Sequence, residues 1–181
     1  MKEDIIREIH FDKGVHAALA RSVLTLKGSK GEVSRDFRHP RIGILIEAEK
    51  IILSAMNGTK REKTVIGAFE SHITNMVKGV TEPFVYKLKI CSGHFPMNVA
   101  VVGQEFVVKN FLGEAVPRRT GLVKGTTVKI EGTEILVTGC DKELAGQMAG
   151  RIEQLCRITN RDRRIFQDGC YMVDKAGKGV A

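Results

Sequence analysis

Four arginines, Arg157, Arg161, Arg163 and Arg164, stand within eight residues of chain against a single acid, Asp162. A guanidinium is a planar fork of donors that matches phosphate oxygens, so arginines clustered on a structured edge point to a polyanionic partner. The plain alternative is a solvated charged face, and the cluster alone does not choose between the two. Its surroundings would hold it in place. An amphipathic helical segment precedes it, and the turn dipeptide Asp168-Gly169 follows within RITNRDRRIFQDGCYMV, residues 157–173.

Other chemistry finds little support. Gly28-Ser29-Lys30-Gly31 lacks the GxxxxGK[ST] spacing that cradles nucleotide phosphates, and it lies between two strand-like runs, which reads as a hairpin turn. The same four residues match the GXXG loop of KH domains, but that loop needs a helix on each side. Five histidines, at 10, 16, 39, 72 and 94, show no metal-ligand spacing, and no serine sits in a GxSxG elbow. Cys91, Cys140, Cys156 and Cys170 are widely separated with no CxxC pair. Each lies in an apolar stretch and reads as a buried, reduced thiol, which implies a cytosolic compartment. We therefore expect no catalytic residues, no cofactor and no metal.

Charge agrees with the arginine cluster. The 181 residues carry 29 Lys+Arg against 21 Asp+Glu, a formal net charge of +8, with a pI near 9.5. Residues 1–82 hold 14 basic and 11 acidic side chains, and residues 83–181 hold 15 and 10. The excess is larger in the second half, at the level where a nucleic-acid footprint is expected. The N-terminus shows no apolar secretory core, and no run approaches the ~20 apolar residues of a membrane span.

The elements that must hold these arginines come in two sets. LTLKGSKGEV (24–33) resembles FVVKNFLGEA (106–115), with Lys27, Gly31 and Glu32 matching Lys109, Gly113 and Glu114 at an offset of 82. EAEKIILSAMN (47–57) resembles EGTEILVTGCD (131–141) at an offset of 84. Two blocks in the same order at nearly one offset imply a domain-sized repeat. In the first copy the runs 23–28, 31–37, 41–47 and 50–55 read as strands. A helix follows over about 60–78, opened by a capping box at Thr59–Glu62, with Ile66, Phe69, Ile73 and Met76 on its core face. In the second copy strands are expected over 84–90, 97–103, 105–111, 126–132 and 133–139. A helix capped by Asp141 follows, with Leu144, Met148, Ile152 and Leu155 as its stripe. The boundary falls at 79–83, dividing the chain into 1–82 and 83–181. The predicted class is α+β, two tandem duplicated domains, each an antiparallel sheet with one helix packed on one face and the helix last. The tail after Lys175 is assigned no structure.

Several further motifs accompany the arginines: His94-Phe95-Pro96-Met97, NFLGEAVPRRTG (110–121), IEQLCRIT (152–159), RDRRIFQDGCY (161–171) and GAFESHITNMVKGVTE (67–82). Together they resemble the large-subunit ribosomal protein six family, in its archaeal and eukaryotic branch, over roughly residues 15–175. The resemblance implies a tandem duplication, no catalysis, and a structural role in the large ribosomal subunit. It implies binding to large ribosomal RNA near its 3′ domain, beside the sarcin–ricin loop where elongation factors dock, with neighbouring ribosomal proteins as further partners. Most of the RNA contact would fall to the C-terminal half. The cellular place would be the cytoplasmic ribosome. The alternative is a generic RNA-binding module that is not stably part of the ribosome.

The motifs carry over as candidate RNA-binding residues His94, Lys109, Arg118, Arg119, Arg157, Arg161, Arg163, Arg164, Gln167, Tyr171 and Lys175. Position 163 varies within this family, and position 170, usually aliphatic, is Cys170 here. Arg118, Arg119, Arg157, Arg161 and Arg164 are expected to grip phosphates, which positions the protein without reading sequence. Phe166 and Tyr171 are candidates to stack on bases. For Phe166 the favoured alternative is packing on the core. Asp168-Gly169 reads as turn chemistry.

Overall fold

The computed structural model describes residues 3–12 and 14–179. Met1, Lys2, Val180 and Ala181, which belong to the N-terminal and tail segments read above, lie outside the described residues. The chain divides into two compact units, Met1–Pro83 and Phe84–Ala181.

In the first unit, β1 (Glu3–His10), β2 (His16–Ala20), β3 (Val23–Gly28), β4 (Gly31–Asp36), β5 (Gly43–Ile46) and β6 (Lys50–Gly58) precede α1 (Lys60–Thr81). The strands form two antiparallel sheets, ordered β1-β6-β5 and β2-β3-β4. Alternation decides which faces turn inward. Leu24 and Leu26 of β3, and Ile51 and Leu53 of β6, are fully buried, while their sequence neighbours are not. These side chains meet Ile66, Ile73 and Val80 of α1, which packs on both sheets. The helix starts where the sequence predicts. Thr59 and Glu62 form a reciprocal capping box, with the Thr59 amide donating to Glu62 at 2.8 Å. The Thr59 hydroxyl and amide hold the Glu62 carboxyl down at about 2. Gly28 and Gly31 pair across a tight β3–β4 turn. A Cβ on Gly28 would stand 2.6 Å from the Val80 carbonyl oxygen, so this glycine lets the hairpin reach the end of α1.

The second unit repeats this order. β7 (Phe84–Cys91), β8 (Asn98–Val102), β9 (Glu105–Lys109), β10 (Arg118–Gly121), β11 (Thr126–Glu131) and β12 (Glu134–Gly139) precede α2 (Lys142–Leu155). The sheets are β10-β9-β8 and β11-β12-β7-β13, where β13 is Gly169–Lys175. Replacing β1 to β6 by β7 to β12 reproduces both sheet orders of the first unit. The core joins Leu88, Phe106, Val108, Ile135 and Val137 to Met148 and Ile152 of α2. Asp141 caps α2 by accepting from the Glu143 amide at 2.8 Å.

Two expectations need correction. The helix is not last in the second unit, because β13 follows it and pairs antiparallel with β7 from Gly169 opposite Cys91 to Lys175 opposite Tyr86. The tail after Lys175 is also structured through Gly179. Ala176 and Gly177 both have positive φ (53° and 85°), the requirement of a two-residue hairpin turn. Lys175 and Lys178 exchange backbone hydrogen bonds across it, and Asp174 accepts from the Gly177 amide at 2.8 Å.

Candidate nucleic-acid interface

The arginine segment is the connection from α2 to β13. It is tied to the second unit at both ends. At its start, Arg118 of β10 reaches the open carbonyls at the end of α2: Nη1 donates to Leu155 at 2.7 Å and to Arg157 at 3.1 Å. Leu155 has one of the carbonyls a helix leaves without intrahelical donors, and Arg157 lies just past the helix end. The same guanidinium forms a two-pronged pair with Glu114, Nε at 2.8 Å and Nη2 at 2.6 Å, and lies 4.2 Å over the ring of Phe111. That pair lowers the Glu114 carboxyl and raises Arg118 from their ordinary values. Arg118 is thus engaged internally on all three nitrogens.

At its end, the segment is fastened by Asp168, a carboxylate only 1 % exposed. Asp168 Oδ1 accepts from the amides of Gly93 and His94, the latter at 3.1 Å, and Oδ2 lies 2.9 Å from His94 Nδ1. Burial works to raise this carboxyl, but these bonds outweigh it and hold Asp168 below its usual range. The His94 ring lies 4.7 Å from that of Phe166, tilted by 32°, and Arg161 stands 4.9 Å over the same ring. Between the two anchors, Asp162 binds the Arg164 amide at 2.9 Å and its guanidinium at 2.7 Å, folding the segment into a turn. Arg164 nevertheless keeps 90 % of its side-chain surface exposed.

The three motifs therefore meet. His94 and Phe95 precede β8, Asn110 to Glu114 link β9 to β10, and the arginines leave α2. Asn110 donates to the Pro96 carbonyl at 3.1 Å, and the Phe95 ring lies within 3.4 Å of where a Gly113 Cβ would be. Arg157, Arg161, Arg163 and Arg164 are all exposed on this buttressed edge. Such an arrangement presents cations on a rigid frame, where little side-chain freedom is lost on meeting phosphate. Among the described residues no group of three or more His, Cys, Asp or Glu side chains is placed to hold a metal ion. No helix among them is long and apolar enough to cross a membrane.

The chain matches the family "Ribosomal protein L6" twice, over residues 11–83 and again over 95–169. The chain belongs to that family. The two matches fall one on each unit. Among relatives of the family, "Large ribosomal subunit protein uL6" of Methanocella arvoryzae is 42% identical over 177 residues, 97% of this chain and all of that protein. The protein of the same name from Methanosarcina mazei is 43% identical over 176 residues, again 97% of this chain and all of its own length. That of Methanococcus vannielii is 41% identical over 174 residues, 96% of each chain. These relatives are named as ribosomal proteins of the large subunit, and the α+β tandem duplication expected from the sequence is the architecture found.

Set against the family motifs, the candidate residues separate into three groups. His94, Arg157, Arg161, Arg163, Arg164 and Gln167 lie together, with Gln167 donating to the Arg164 carbonyl at 3.3 Å. Tyr171 joins them at the start of β13. Its ring passes over Gly169, where a Cβ would stand 3.2 Å away, and the Arg163 charge acts on its hydroxyl. A second group faces elsewhere. Arg119 follows Arg118 on β10 and so points to the other side of the sheet, where it pairs with Glu105 at 3.6 Å. Lys109 is exposed at the end of β9. Lys175 is six residues along β13 from Gly169, about 20 Å at the rise of a strand. The third group is Arg118 alone, which holds the frame instead of offering its fork outward. Phe166 is half-buried and packs against the core, as its favoured reading had it, with Arg161 above the ring.

Sequence reasoning missed two features. Asp168 was read as turn chemistry; it is the buried clamp between segments 74 residues apart. The signal was present in the HFP and QDG motifs, but nothing in the sequence links them. The second is the contact between two of the cysteines, both buried and reduced as expected. Cys156 and Cys170 are both buried at the base of the segment with their sulfurs 3.6 Å apart, whereas Cys91 and Cys140 are only half-buried. Contact with Cys156 and burial push the Cys170 thiol up, which keeps it protonated.

Proposed function

We propose that this chain is a structural protein of the large subunit of the cytoplasmic ribosome that binds large ribosomal RNA through its C-terminal repeat, residues 83–181. The observation that carries the reading is the α2–β13 segment: exposed arginines held at one end by Arg118 and at the other by Asp168. Arg157, Arg161, Arg163 and Arg164 contact phosphates, and Gln167, Tyr171 and His94 line the same surface. Arg119, Lys109 and Lys175 contribute more distant contacts, and Arg118 serves by positioning. In folded ribosomal RNA such contacts read backbone shape and 2′-hydroxyls. The RNA region is the 3′ domain beside the sarcin–ricin loop, which brings elongation factors and neighbouring ribosomal proteins close to the chain.

The test is stoichiometric co-sedimentation with large subunits at high salt, followed by chemical footprinting of the RNA. Retention with protection at the sarcin–ricin region supports the reading. Loss of the chain at high salt supports a generic RNA-binding module, and protection elsewhere removes the location.

A further inference from the structure

We propose that the outer edge of β1 takes an extended, basic segment of a neighbouring large-subunit protein as an added antiparallel strand, an inference that rests on the subunit membership proposed above. The two units make the case by their difference. In the second, β7 has β12 on one side and β13 on the other. In the first, the equivalent strand β1 has β6 on one side and, among the described residues, no strand on the other. The chain cannot supply one after the helix. α1 ends at Thr81 and β7 begins at Phe84, so no segment corresponds to β13. The fold thus accepts an antiparallel strand at this position, and in the first unit no described strand occupies it.

The open edge has the properties of a docking strand. β1 is eight residues long and pairs with β6 without interruption from Ile5 to His10. Solitary edges are usually blunted by shortness, proline, lysine or bulges. β1 contains neither Pro nor Lys, its irregularity is confined to the Glu3 end, and its charged side chains Glu3, Asp4, Arg7 and Glu8 restrict which segment can pair with it. Ile6 is 62 % exposed on the outward face of β1 with Asp4 and Glu8 on either side of it, so an added strand would meet one apolar side chain flanked by two carboxylates.

Charge selects the occupant. The sheet and its hairpin turn, residues 3–10 and 43–58, carry five carboxylates (Glu3, Asp4, Glu8, Glu47 and Glu49) against Arg7 and Lys50. This is an acidic sheet in a chain of net charge +8. Lys60 and Lys63 approach its Glu3 end, so the acidity is concentrated at the other end. There Lys50 is held between Glu8 at 3.3 Å and Glu47 at 3.4 Å. Such a surface repels phosphate and attracts a basic peptide, and a strand edge recognises backbone.

Hydrogen exchange of the free chain and of the chain assembled into large subunits tests this. The outward amides of Ile5–His10 should exchange freely in the free chain and slow by about tenfold or more on assembly. A benzophenone side chain at position 6 should crosslink, in subunits, to a basic stretch of another ribosomal protein. Glu8→Lys should abolish the added protection while the chain still assembles and the α1 amides keep their own protection. Unchanged exchange on assembly overturns the proposal, as does a crosslink to RNA or to a second copy of this chain. Failure to enter subunits at all, read separately by sedimentation, overturns the proposed function and this inference with it.

Discussion

The first unit passes from its helix to the next strand through Glu82 and Pro83 alone, whereas the second runs through thirteen residues, 156–168, before β13 begins. Six strands and a helix are otherwise matched in order and pairing. Connections of that length without secondary structure are uncommon in compact domains and usually serve a function or act as a linker. The comparison separates two roles within one fold. The shared strands and helix make a core. What the second unit adds at the free edge of that core carries the arginines, and β13 anchors the far end of the addition by returning it to the sheet. On the proposed function, the duplicated fold gains its RNA-facing surface by extending the chain past its helix, while Leu88, Phe106 and Ile135 stay buried in the core of the second unit.

The comparison breaks most sharply at Asp168, which has no counterpart in the first unit. Asp168→Ala removes a buried acceptor and leaves the Gly93 and His94 amides unpaired, so we expect a loss of about 2–4 kcal/mol confined to the second unit. Urea unfolding followed by hydrogen exchange in each unit reads it; equal loss in both units would contradict the assignment. Because Asp168 is held below its ordinary value, its contribution is present at neutral pH and fades as pH falls through the carboxyl range.

Arg118 and its neighbour sharpen the distinction between frame and surface. Arg118→Lys cannot keep both the Glu114 pair and the two helix-end carbonyls, and should destabilise the second unit by about 1–3 kcal/mol. Arg119→Gln, one position along β10, should leave stability unchanged and weaken RNA binding slightly. Equal melting of the two variants would remove the positioning role of Arg118.

The smallest effect lies in the first unit. Glu62 sits at about 2 against an ordinary 4.5. A depressed carboxyl stabilises above its unfolded value, and that stabilisation is lost as pH falls from about 4.5 towards 2. Glu62→Gln should lower the first unit's melting temperature at neutral pH and flatten its decline across that acid window. α2, capped by Asp141 with Leu144 three residues on, has no such box and should show no matching change. A decline that the substitution leaves untouched would mean the capping box is not its source.

How far these features could be read in the sequence depended on what holds each one. The runs 23–28, 50–55 and 133–139 are short, rich in Val, Ile, Leu and Thr and bounded by glycine or polar turns, and the strands lie there. β1 was not predicted, because EDIIREIH buries only Ile9 and shows no alternation. β10, RRTG, contains no apolar side chain, and is a strand because β9 pairs with it. β13 was hidden behind the arginines, its inward Cys170 and Met172 too few to signal a strand. Within the site, charge announced the arginines, since charge is local. The internal role of Arg118 was not legible, because its partners Glu114, Leu155 and Arg157 converge only through the fold.

The central claim is that placed arginines, not net charge, bind the RNA. Its direct test is a salt titration of binding to a large ribosomal RNA fragment with two variants that each remove four charges. One carries Gln at Arg157, Arg161, Arg163 and Arg164; the other carries Gln at Lys27, Lys60, Lys63 and Lys78 of the first unit. Each phosphate contact contributes about 0.7–0.9 to the slope of log affinity against log salt, so the arginine variant should lose about 3 from its slope and the lysine variant close to none. Equal slopes in two folded variants would contradict the account.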